Sequence, residues 1–371
     1  MPATPQIAID FDESTVSTIE ALRRLVETES PSSDIPACER CADAVAALGY
    51  RLLGAEAERL SLEGRPHLRW RFGAPRVLLL GHFDTVWPLG TIRERPFTVD
   101  GDVATGPGVF DMKAGVVQLL YAVAGLDQRD GIEILLTSDE EIASPTSRSL
   151  IQHDAKQVLA ALVLEPSQEG ALKIARKGIS QYTLRFHGIP AHAGLEPEKG
   201  ASALSELART VPLVEAIADP HQHTTVTPTL ARAGIAVNVV PPEAELHVDV
   251  RTATAAEQDR VDRAMHDLAP QDARVRIDVD GGPDRPPLEP ERSAALFDRA
   301  RRIATSLGFE LRGVAVGGGS DGNITAATGT DTLDGLGAVG DGAHAPHEQV
   351  RISQMPVRTE LVRRLMEELL A

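Results

Sequence analysis

The sequence has few cysteines, few aromatic residues and no long apolar run. Two of its 371 residues are cysteine, and aromatic residues make up 4%. No apolar stretch approaches the roughly 20 residues that span a bilayer. The first residues have neither the basic start nor the apolar segment of a secretory signal. Because two cysteines without an export signal are typical of a reducing compartment, we expect a cytoplasmic protein that does not bind membranes.

Basic residues are also scarce. Lys and Arg total 37 against 54 Asp and Glu, which gives a net charge of −17. This balance argues against a general nucleic-acid binder, which needs basic surface to displace counterions from phosphates. It does not exclude an anionic small substrate, because a few cations in a cleft can override the mean field. Chains of this length form one large domain or two ordinary ones.

The two cysteines form a C-x-x-C motif, Cys38 and Cys41. Such a pair can bind metal or cycle as a dithiol, but no second pair is present to complete a four-ligand zinc site. Both cysteines share helical spacing with Val45 and Leu48. We therefore predict that they are buried packing residues, with a redox role as the alternative.

The hydrophobic pattern divides the chain into two kinds of structure. Apolar runs typical of buried parallel strands lie at 77–80, 132–136 and 161–164. Helical patterns lie near 13–28, 113–126, 291–307 and 357–370. Between about 178 and 285 the strands instead alternate apolar and polar residues, as one-sided antiparallel strands do, with helices near 201–217 and 254–268.

We therefore predict an α/β catalytic domain with a smaller α+β domain inserted in it. The catalytic domain comprises residues 1–177 and 288–371, and the insertion comprises residues 178–287. The segment GGPDRPPLEP at 281–290 is interpreted as a linker back to the first domain.

The strongest chemical signal is VLLLGHFDTV, in which a buried strand leads directly into His82 and Asp84. Residues two apart on an extended chain face the same way, and open α/β sheets place their sites at the carboxyl ends of strands. A carboxylate beside an imidazole is also the usual support of a metal-bound histidine. The alternative is a His–Asp pair that caps a turn.

Further candidate ligands follow strands or lie in tight loops: Asp111 in GPGVFDMKAG, Asp139, Glu140 and Glu141 in SDEE, Glu165 in EPS, and His344 and His347 in GAHAPHEQV. Alone, Asp111 also fits a helix cap, and three consecutive acids also fit a solvated surface loop. Together these carboxylates and imidazoles suit Zn, Mn or Co ions.

The order of these motifs resembles the M20 family of metallopeptidases and aminoacylases, especially its glutamate carboxypeptidase branch. The matching segments span nearly the whole chain: GHFDTV, GPGVFDMKAG, SDEE, EPS, RKGISQYTLRFHGIPAHAG, GGGSDGN and GAHAPHEQV. The resemblance implies a dinuclear-metal catalytic domain with a mixed, largely parallel sheet flanked by helices. It also implies that the inserted ferredoxin-like α+β domain forms a homodimer.

The resemblance further implies two divalent ions per chain, Zn²⁺ first, with Co²⁺ or Mn²⁺ as alternatives. The implied ligands are His82 and Glu165 for one ion, Glu141 and His344 for the other, and Asp111 for both. His344 is preferred to His347 because the family's ligand histidine precedes a glutamate by four positions, here Glu348.

The same resemblance gives Glu140 the role of general base for a water between the ions, and Asp84 that of orienting His82. His192 in GIPAHAG would donate to the oxyanion, either by closure of the inserted domain or from a partner subunit. The alternative for His192 is an ordinary loop histidine.

Substrate-binding residues are implied at four positions: Asn238, Arg251, Gly319 and Ser320. Asn238 and Arg251 match family positions that bind the substrate carboxylate, although a salt bridge from Arg251 to Asp249 or another acid is the alternative. The GGGSDGN loop offers backbone N–H groups and a helix start at Ser320, which suit an anionic group.

The expected function is hydrolysis of a peptide or amide bond next to a free carboxylate, with a small peptide or N-acyl amino acid as substrate. The first hypothesis is an exopeptidase of the glutamate carboxypeptidase type, and the alternative is an N-acyl-amino-acid deacylase with the same site. A non-catalytic binding relative is a third hypothesis. It predicts the loss of a ligand or of Glu140, and none of these residues is missing from the sequence.

Overall fold

The computed structural model describes residues 18–371, and these fall into two compact units. The first unit contains the described residues up to Ala175, together with Pro290–Val316 and Ser320–Ala371. The second contains Arg176–Glu289 and Gly317–Gly319. The part of the predicted first helix at 13–17 lies outside the described residues.

The α-helices of the described chain include most of those that the sequence pattern predicts. They are α1 (Thr18–Glu27), α2 (Ile35–Leu53), α3 (Thr91–Glu94), α4 (Ala114–Ala124), α5 (Arg148–Ala155), α6 (Ala203–Glu215), α7 (Ala255–His266), α8 (Pro290–Ser306), α9 (Asp321–Ala327) and α10 (Gln354–Leu370). Single helical turns lie at Glu140–Ile142, Pro197–Lys199 and Pro220–Gln222. The segment Val109–Lys113, just before α4, is kinked, because the backbone of Asp111 and Met112 is not helical.

The strands of the first unit precede and follow those of the second along the chain. In chain order they are β1 (Glu58–Leu62), β2 (Arg65–Phe72), β3 (Val77–His82), β4 (Thr98–Asp100), β5 (Val103–Thr105), β6 (Ile132–Thr137), β7 (Ala160–Val163), β8 (Leu172–Arg176), β9 (Gly178–His187), β10 (Thr225–Ala233), β11 (Glu243–Thr252), β12 (Arg276–Arg285), β13 (Gly313–Val316), β14 (Asp331–Leu333), β15 (Gly340–Asp341) and β16 (Gln349–Arg351).

The main sheet of the first unit is mixed and has the order β1-β2-β6-β3-β7-β14. β1, β2 and β6 pair antiparallel, whereas β6, β3, β7 and β14 pair parallel. Along β3, Leu79 joins the larger apolar core, whereas Leu78 and Leu80 join a separate buried cluster with Ile151 and Ile324. Because alternate residues of a strand point to opposite faces, both faces of this sheet are covered by helices, which explains the unbroken apolar runs.

Two smaller groups of strands complete the first unit. β13 pairs with β8, and β15, β16, β5 and β4 form a further sheet in that order. β16 pairs antiparallel with β5, which connects the end of the GAHAPHEQV motif to the chain just before the GPGVFDMKAG motif. The expected α/β fold with a mixed sheet flanked by helices is confirmed.

The second unit follows the order β9-α6-β10-β11-α7-β12, and its antiparallel sheet has the order β10-β11-β9-β12. This βαββαβ arrangement is the ferredoxin-like topology. Along β9, buried and more exposed residues alternate, and Tyr182, Leu184 and Phe186 lie in the core. The alternation explains why these strands differ in sequence texture from those of the first unit.

The interpretation of residues 281–290 as a linker is wrong for its first half. β12 runs through Arg285, where it pairs with Ile179 of β9, and α8 already begins at Pro290. Backbone pairing with β9 overrides the Gly-Pro composition, because Gly281, with a φ of +100°, adapts to a close approach of the Gln181 carbonyl.

Cys38 and Cys41 are fully buried and unbridged in α2. Burial is the largest cause that raises the pKa of the Cys38 thiol, to about 12. Burial with a protonated thiol agrees with the packing interpretation and not with a reactive dithiol. Separately, no helix within residues 18–371 combines the length and apolar character needed to cross a membrane.

Candidate metal centre

Three neighbouring strands of the main sheet deliver polar side chains to one edge. β3 ends at His82, which lies opposite Thr137 at the end of β6. Glu140 and Glu141 follow β6, and Glu165 follows β7, which pairs with β3 on its other side. Because these strands are parallel, their carboxyl ends meet at the same edge, as the sequence analysis expects.

The five predicted metal ligands lie together at this edge. His82 Nε2 is 3.4 Å from Asp111 Oδ1 and 3.4 Å from Glu165 Oε1. His344 Nε2 is 2.9 Å from Glu141 Oε2 and 3.5 Å from Asp111 Oδ2. Asp111 thus lies between the two histidines, one carboxylate oxygen toward each.

Ligand atoms in this cluster are close enough to share ions. Those of His82, Asp111 and Glu141 lie within 4.8 Å of one another, and so do those of His82, Glu140 and Glu165. Among the described residues, buried atoms without a hydrogen-bond partner include Nε2 of His82, Oδ1 of Asp111 and Oε1 of Glu141. Buried polar atoms are rarely left unpaired, so the donor set fits divalent cations that prefer imidazole and carboxylate.

Asp84 supports the cluster from behind. Its Oδ1 accepts the backbone N–H of Glu140 at 3.3 Å, and its Oδ2 accepts the backbone N–H of Glu141 at 3.2 Å and the Ser32 hydroxyl at 2.6 Å. Its Oδ1 also lies 3.4 Å from Nδ1 of His82. One buried carboxylate therefore fixes the end of β3 relative to the turn that follows β6.

Asp139 faces away from its two acidic neighbours. Its carboxylate accepts the hydroxyl and backbone N–H groups of Thr146 and Ser147, at 2.6–3.1 Å. Burial alone would raise the pKa of Asp139, but these hydrogen bonds outweigh it and lower the pKa. Asp139 thus closes the loop by hydrogen bonds to Thr146 and Ser147, whereas Glu140 and Glu141 join the ligand cluster.

Three groups of the cluster, His82, Glu141 and His344, have raised pKa values. Burial acts to lower the pKa of His82, but the nearby carboxylates of Asp111, Asp84 and Glu165 outweigh it and raise the pKa well above its usual value. Burial also raises the pKa of Glu141, to about 7. The hydrogen bond with Glu141 raises the pKa of His344 to about 9.

His344 and His347 have different surroundings. His344 joins the cluster, whereas His347 is mostly exposed and its Nε2 lies 3.7 Å from the exposed carboxylate of Asp341. His344, the histidine four positions before Glu348, is therefore the one that lies beside Asp111 and Glu141.

His192 and Asn238 are neighbours within the second unit. The backbone N–H of Ala193 donates to the Asn238 carbonyl at 2.9 Å. His192 is exposed, and its Nδ1 accepts the backbone N–H groups of Gly194 and Leu195 at 3.1 and 3.2 Å. A neutral imidazole whose Nδ1 accepts carries its hydrogen on Nε2, so His192 presents an N–H donor.

Arg251 forms a salt bridge with Asp249, which is the alternative to a contact with the substrate. Its Nε and Nη2 donate to the two carboxylate oxygens of Asp249 at 2.8 and 3.0 Å. A guanidinium has a second donor edge, so this pair orients Arg251 without using all of its donors.

Gly319 and Ser320 fall in different units. Gly319 lies against Ile179 and Arg285. Ser320 is fully buried, and its hydroxyl caps α9 by accepting the Gly322 N–H while donating to Asp334. The Ser320 side chain is therefore engaged inside the fold rather than open to an anion.

In the sequence, Glu348 is notable only because it lies four positions after His344. In the structure its buried carboxylate accepts the backbone N–H groups of Gly108, Phe110 and Asp111 and the indole N–H of Trp87. No local pattern reveals this role, because the donors lie far away in sequence.

The chain is similar to known proteins over most of its length. Peptidase family M20/M25/M40 matches residues 78–368. Carboxypeptidase G2 from Pseudomonas sp. (strain RS-16) is 31% identical over 98% of this chain and 91% of its own length. Succinyl-diaminopimelate desuccinylase from Sulfurovum sp. (strain NBC37-1) is 28% identical over 92% of this chain and 95% of its own length.

A solved structure shares the fold. The M20 family metallo-carboxypeptidase from Sulfolobus solfataricus has a TM-score of 0.73 over 95% of this chain and 99% of its own, at 14% identity. The motifs in their order, the strand-end cluster and the family match lead to one conclusion: the chain belongs to peptidase family M20/M25/M40.

Proposed function

We propose that the chain is a metal-dependent hydrolase that cleaves a peptide or amide bond next to a free carboxylate. The observation that carries this proposal is the strand-end cluster, in which unpaired buried atoms of His82, Asp111 and Glu141 converge beside Glu140. Family membership supports a peptidase or related hydrolase.

Two divalent ions, with Zn²⁺ as the first choice and Co²⁺ or Mn²⁺ as alternatives, fit the cluster. His82 and Glu165 would hold one, Glu141 and His344 the other, and Asp111 both. Ions at this position would supply Lewis acidity, which would polarise a carbonyl and make a nearby water more acidic.

Glu140 is proposed as the general base. It is nearly buried, its backbone N–H is held by Asp84, and a carboxylate oxygen lies within 4.8 Å of ligand atoms of His82 and Glu165. From this position its carboxylate takes a proton from the attacking water and later delivers it to the leaving amine nitrogen.

The second unit is proposed to supply substrate recognition. Arg251 and Asn238 would bind the substrate carboxylate, and the Nε2–H of His192 would stabilise the oxyanion, from the same chain or from a partner subunit. Backbone N–H groups at Gly319 are a further proposed contact.

A carboxypeptidase is the preferred reading, because carboxypeptidase G2 is the relative at 31% identity and aligns with nearly the whole chain. A deacylase is the second candidate, and it is favoured by the similarity to a desuccinylase over 92% of the chain. Both activities break an amide bond, so they share the same proposed catalytic groups.

We also propose a cytoplasmic homodimer formed through the second unit. Its edge strand β10 is largely exposed, and an uncovered edge is suited to pairing with a second copy. Light scattering at micromolar concentration is expected to give twice the chain mass, and a monomeric mass would contradict the dimer.

The Glu140→Gln variant tests the general base. We expect kcat to fall about 100- to 10,000-fold while bound metal, measured by atomic absorption, is retained. Glu169→Gln, which removes an exposed acid from a loop, is the matched control and is expected to keep wild-type turnover. Substantial turnover by the Glu140→Gln variant with intact metal content would refute the assignment.

A further inference from the structure

Four hydrogen bonds converge on the buried carboxylate of Glu348. Its Oε1 accepts the backbone N–H groups of Phe110 at 2.9 Å and Asp111 at 3.0 Å. Its Oε2 accepts the backbone N–H of Gly108 at 2.8 Å and the indole N–H of Trp87 at 2.7 Å. All four partners are donors, so the position requires a group that only accepts, which an ionised carboxylate does.

Glu348 also belongs to the loop that carries His344. The backbone N–H of Glu348 donates to the Ala345 carbonyl at 3.0 Å, and that of Ala345 donates to the Gly342 carbonyl at 2.8 Å. Gly342 has a φ of +82°, and a Cβ there would lie 2.9 Å from Cα of Glu348. Two consecutive turns thus tie His344 closely to Glu348.

We propose that Glu348 is a positioning residue that sets the spacing between Asp111 and His344 for metal binding. Its carboxylate accepts the backbone N–H of Asp111, and it lies in the same tight loop as His344. This inference rests on the proposed function, since it assumes that these two residues bind an ion. Glu348 is not itself a ligand, because each of its oxygens already accepts two hydrogen bonds.

Trp87 supports this arrangement from its outer side. The guanidinium of Arg95 lies 3.8 Å from the centre of a Trp87 ring and donates to the Pro346 carbonyl at 3.2 Å. Because Pro346 lies between His344 and Glu348, Trp87 and Arg95 join the same loop from two directions. A cation over an indole face is favourable, so Trp87 is held where its N–H meets Glu348.

The Glu348→Gln variant tests the inference with little change in shape. The amide NH₂ of the glutamine must face one of the two pairs of N–H donors. Those two hydrogen bonds are then lost, because a donor cannot accept a hydrogen bond. We expect Co²⁺ titration of the metal-free protein, followed by visible absorption, to show binding about 10- to 100-fold weaker than wild type. Asp111 would serve both ions and His344 only the ion shared with Glu141. The site of Glu141 and His344 is therefore expected to lose more Co²⁺ affinity than the site of His82 and Glu165, and its Co²⁺ spectrum is expected to change.

Glu206→Gln is the matched control. Glu206 is an equally buried carboxylate in the second unit that accepts the backbone N–H groups of Gln271 and Asp272 and pairs with Arg209. We expect both this variant and Glu348→Gln to lower the melting temperature of the metal-free protein, while the Co²⁺ titration of Glu206→Gln matches wild type.

Wild-type Co²⁺ affinity and spectrum in Glu348→Gln, or an equal loss in Glu206→Gln, would overturn the positioning role. Where Glu348→Gln does not fold, Trp87→Phe decides: it removes one of the four donors and is expected to weaken Co²⁺ binding by a smaller factor, whereas an unchanged titration overturns the proposal. Failure of the wild-type protein to bind two Co²⁺ ions would instead remove the proposed function on which the inference rests.

Discussion

The imidazole Nε2 of His344 lies 2.9 Å from the carboxylate Oε2 of Glu141. This hydrogen bond raises the pKa of His344 to about 9, and burial raises that of Glu141 to about 7. Both values exceed the ordinary ones of 6.5 and 4.5, so the folded pair binds more protons than the unfolded chain does. We therefore expect the metal-free pair to hold a proton at neutral pH.

Metal-free stability is therefore expected to fall as pH rises. The contribution of His344 is fully present below pH 6.5 and is lost as pH rises through about 9. Because His344 is half exposed, solvent screening keeps the effect modest. Thermal unfolding is expected to show that the advantage of wild type over His344→Gln shrinks as pH rises through this window. An advantage that stays constant would contradict this account.

Asp84 is expected to control metal affinity. In Asp84→Asn, an NH₂ group meets donors from Ser32, Glu140 and Glu141, so we expect a loss of about 1–3 kcal/mol in the free energy of unfolding. We also expect Zn²⁺ affinity to fall about 10- to 100-fold. Urea unfolding and Zn²⁺ titration measure the two effects.

Ser32→Ala separates these two effects. It removes one hydrogen bond from Asp84 and keeps both backbone donors, so it is expected to lower stability without a comparable loss of Zn²⁺ affinity. Wild-type Zn²⁺ affinity in Asp84→Asn would exclude a supporting role for this carboxylate.

Arg251 is expected to affect substrate binding rather than turnover. Replacing it with Met removes the charged donor that is proposed to bind the substrate carboxylate, so KM is expected to rise about 10- to 100-fold with little change in kcat. Arg185→Met is the control, because Arg185 pairs with Glu245 on the same sheet. An equal KM for the two variants would exclude a role of Arg251 in substrate binding and leave only its salt bridge with Asp249.

Cys38 and Cys41 are expected to be unreactive in the folded protein. Both are fully buried, and the pKa of Cys38 is raised to about 12 by burial, which keeps its thiol protonated. Iodoacetamide is expected to label neither cysteine in native buffer and both in denaturant, as read by mass spectrometry. Rapid native labelling, or a disulfide in the native protein, would restore the redox alternative.

The sequence could predict the strand-end residues because their signal is local. A buried strand that runs into His82, or into the acids of SDEE, is visible in a window of about ten residues. Parallel pairing then brings such ends to one edge of the sheet. The strand-end residues His82, Glu140, Glu141 and Glu165 were identifiable in this way. Asp111 and His344 lie in loops, and only the resemblance to a known family gave them a ligand role.

The sequence could not predict partners that only the fold brings together. Glu348 meets Asp111 because β16 pairs with β5, and no local pattern encodes that pairing. Composition also misleads where tertiary contacts dominate, as at residues 281–285, where pairing with β9 makes a strand of Gly and Pro residues. The SDEE motif likewise did not reveal that Asp139 would be held by Thr146 and Ser147.

The most direct test is release of free amine from a panel of N-peptidyl and N-acyl amino acids, with and without a metal chelator. The account predicts chelator-sensitive release of a C-terminal amino acid, restored by adding back Zn²⁺ and absent in Glu140→Gln. Release confined to simple N-acetyl amino acids would select the deacylase. Release that persists in the presence of the chelator, or no release from any substrate by protein that holds two metal ions, would contradict the account.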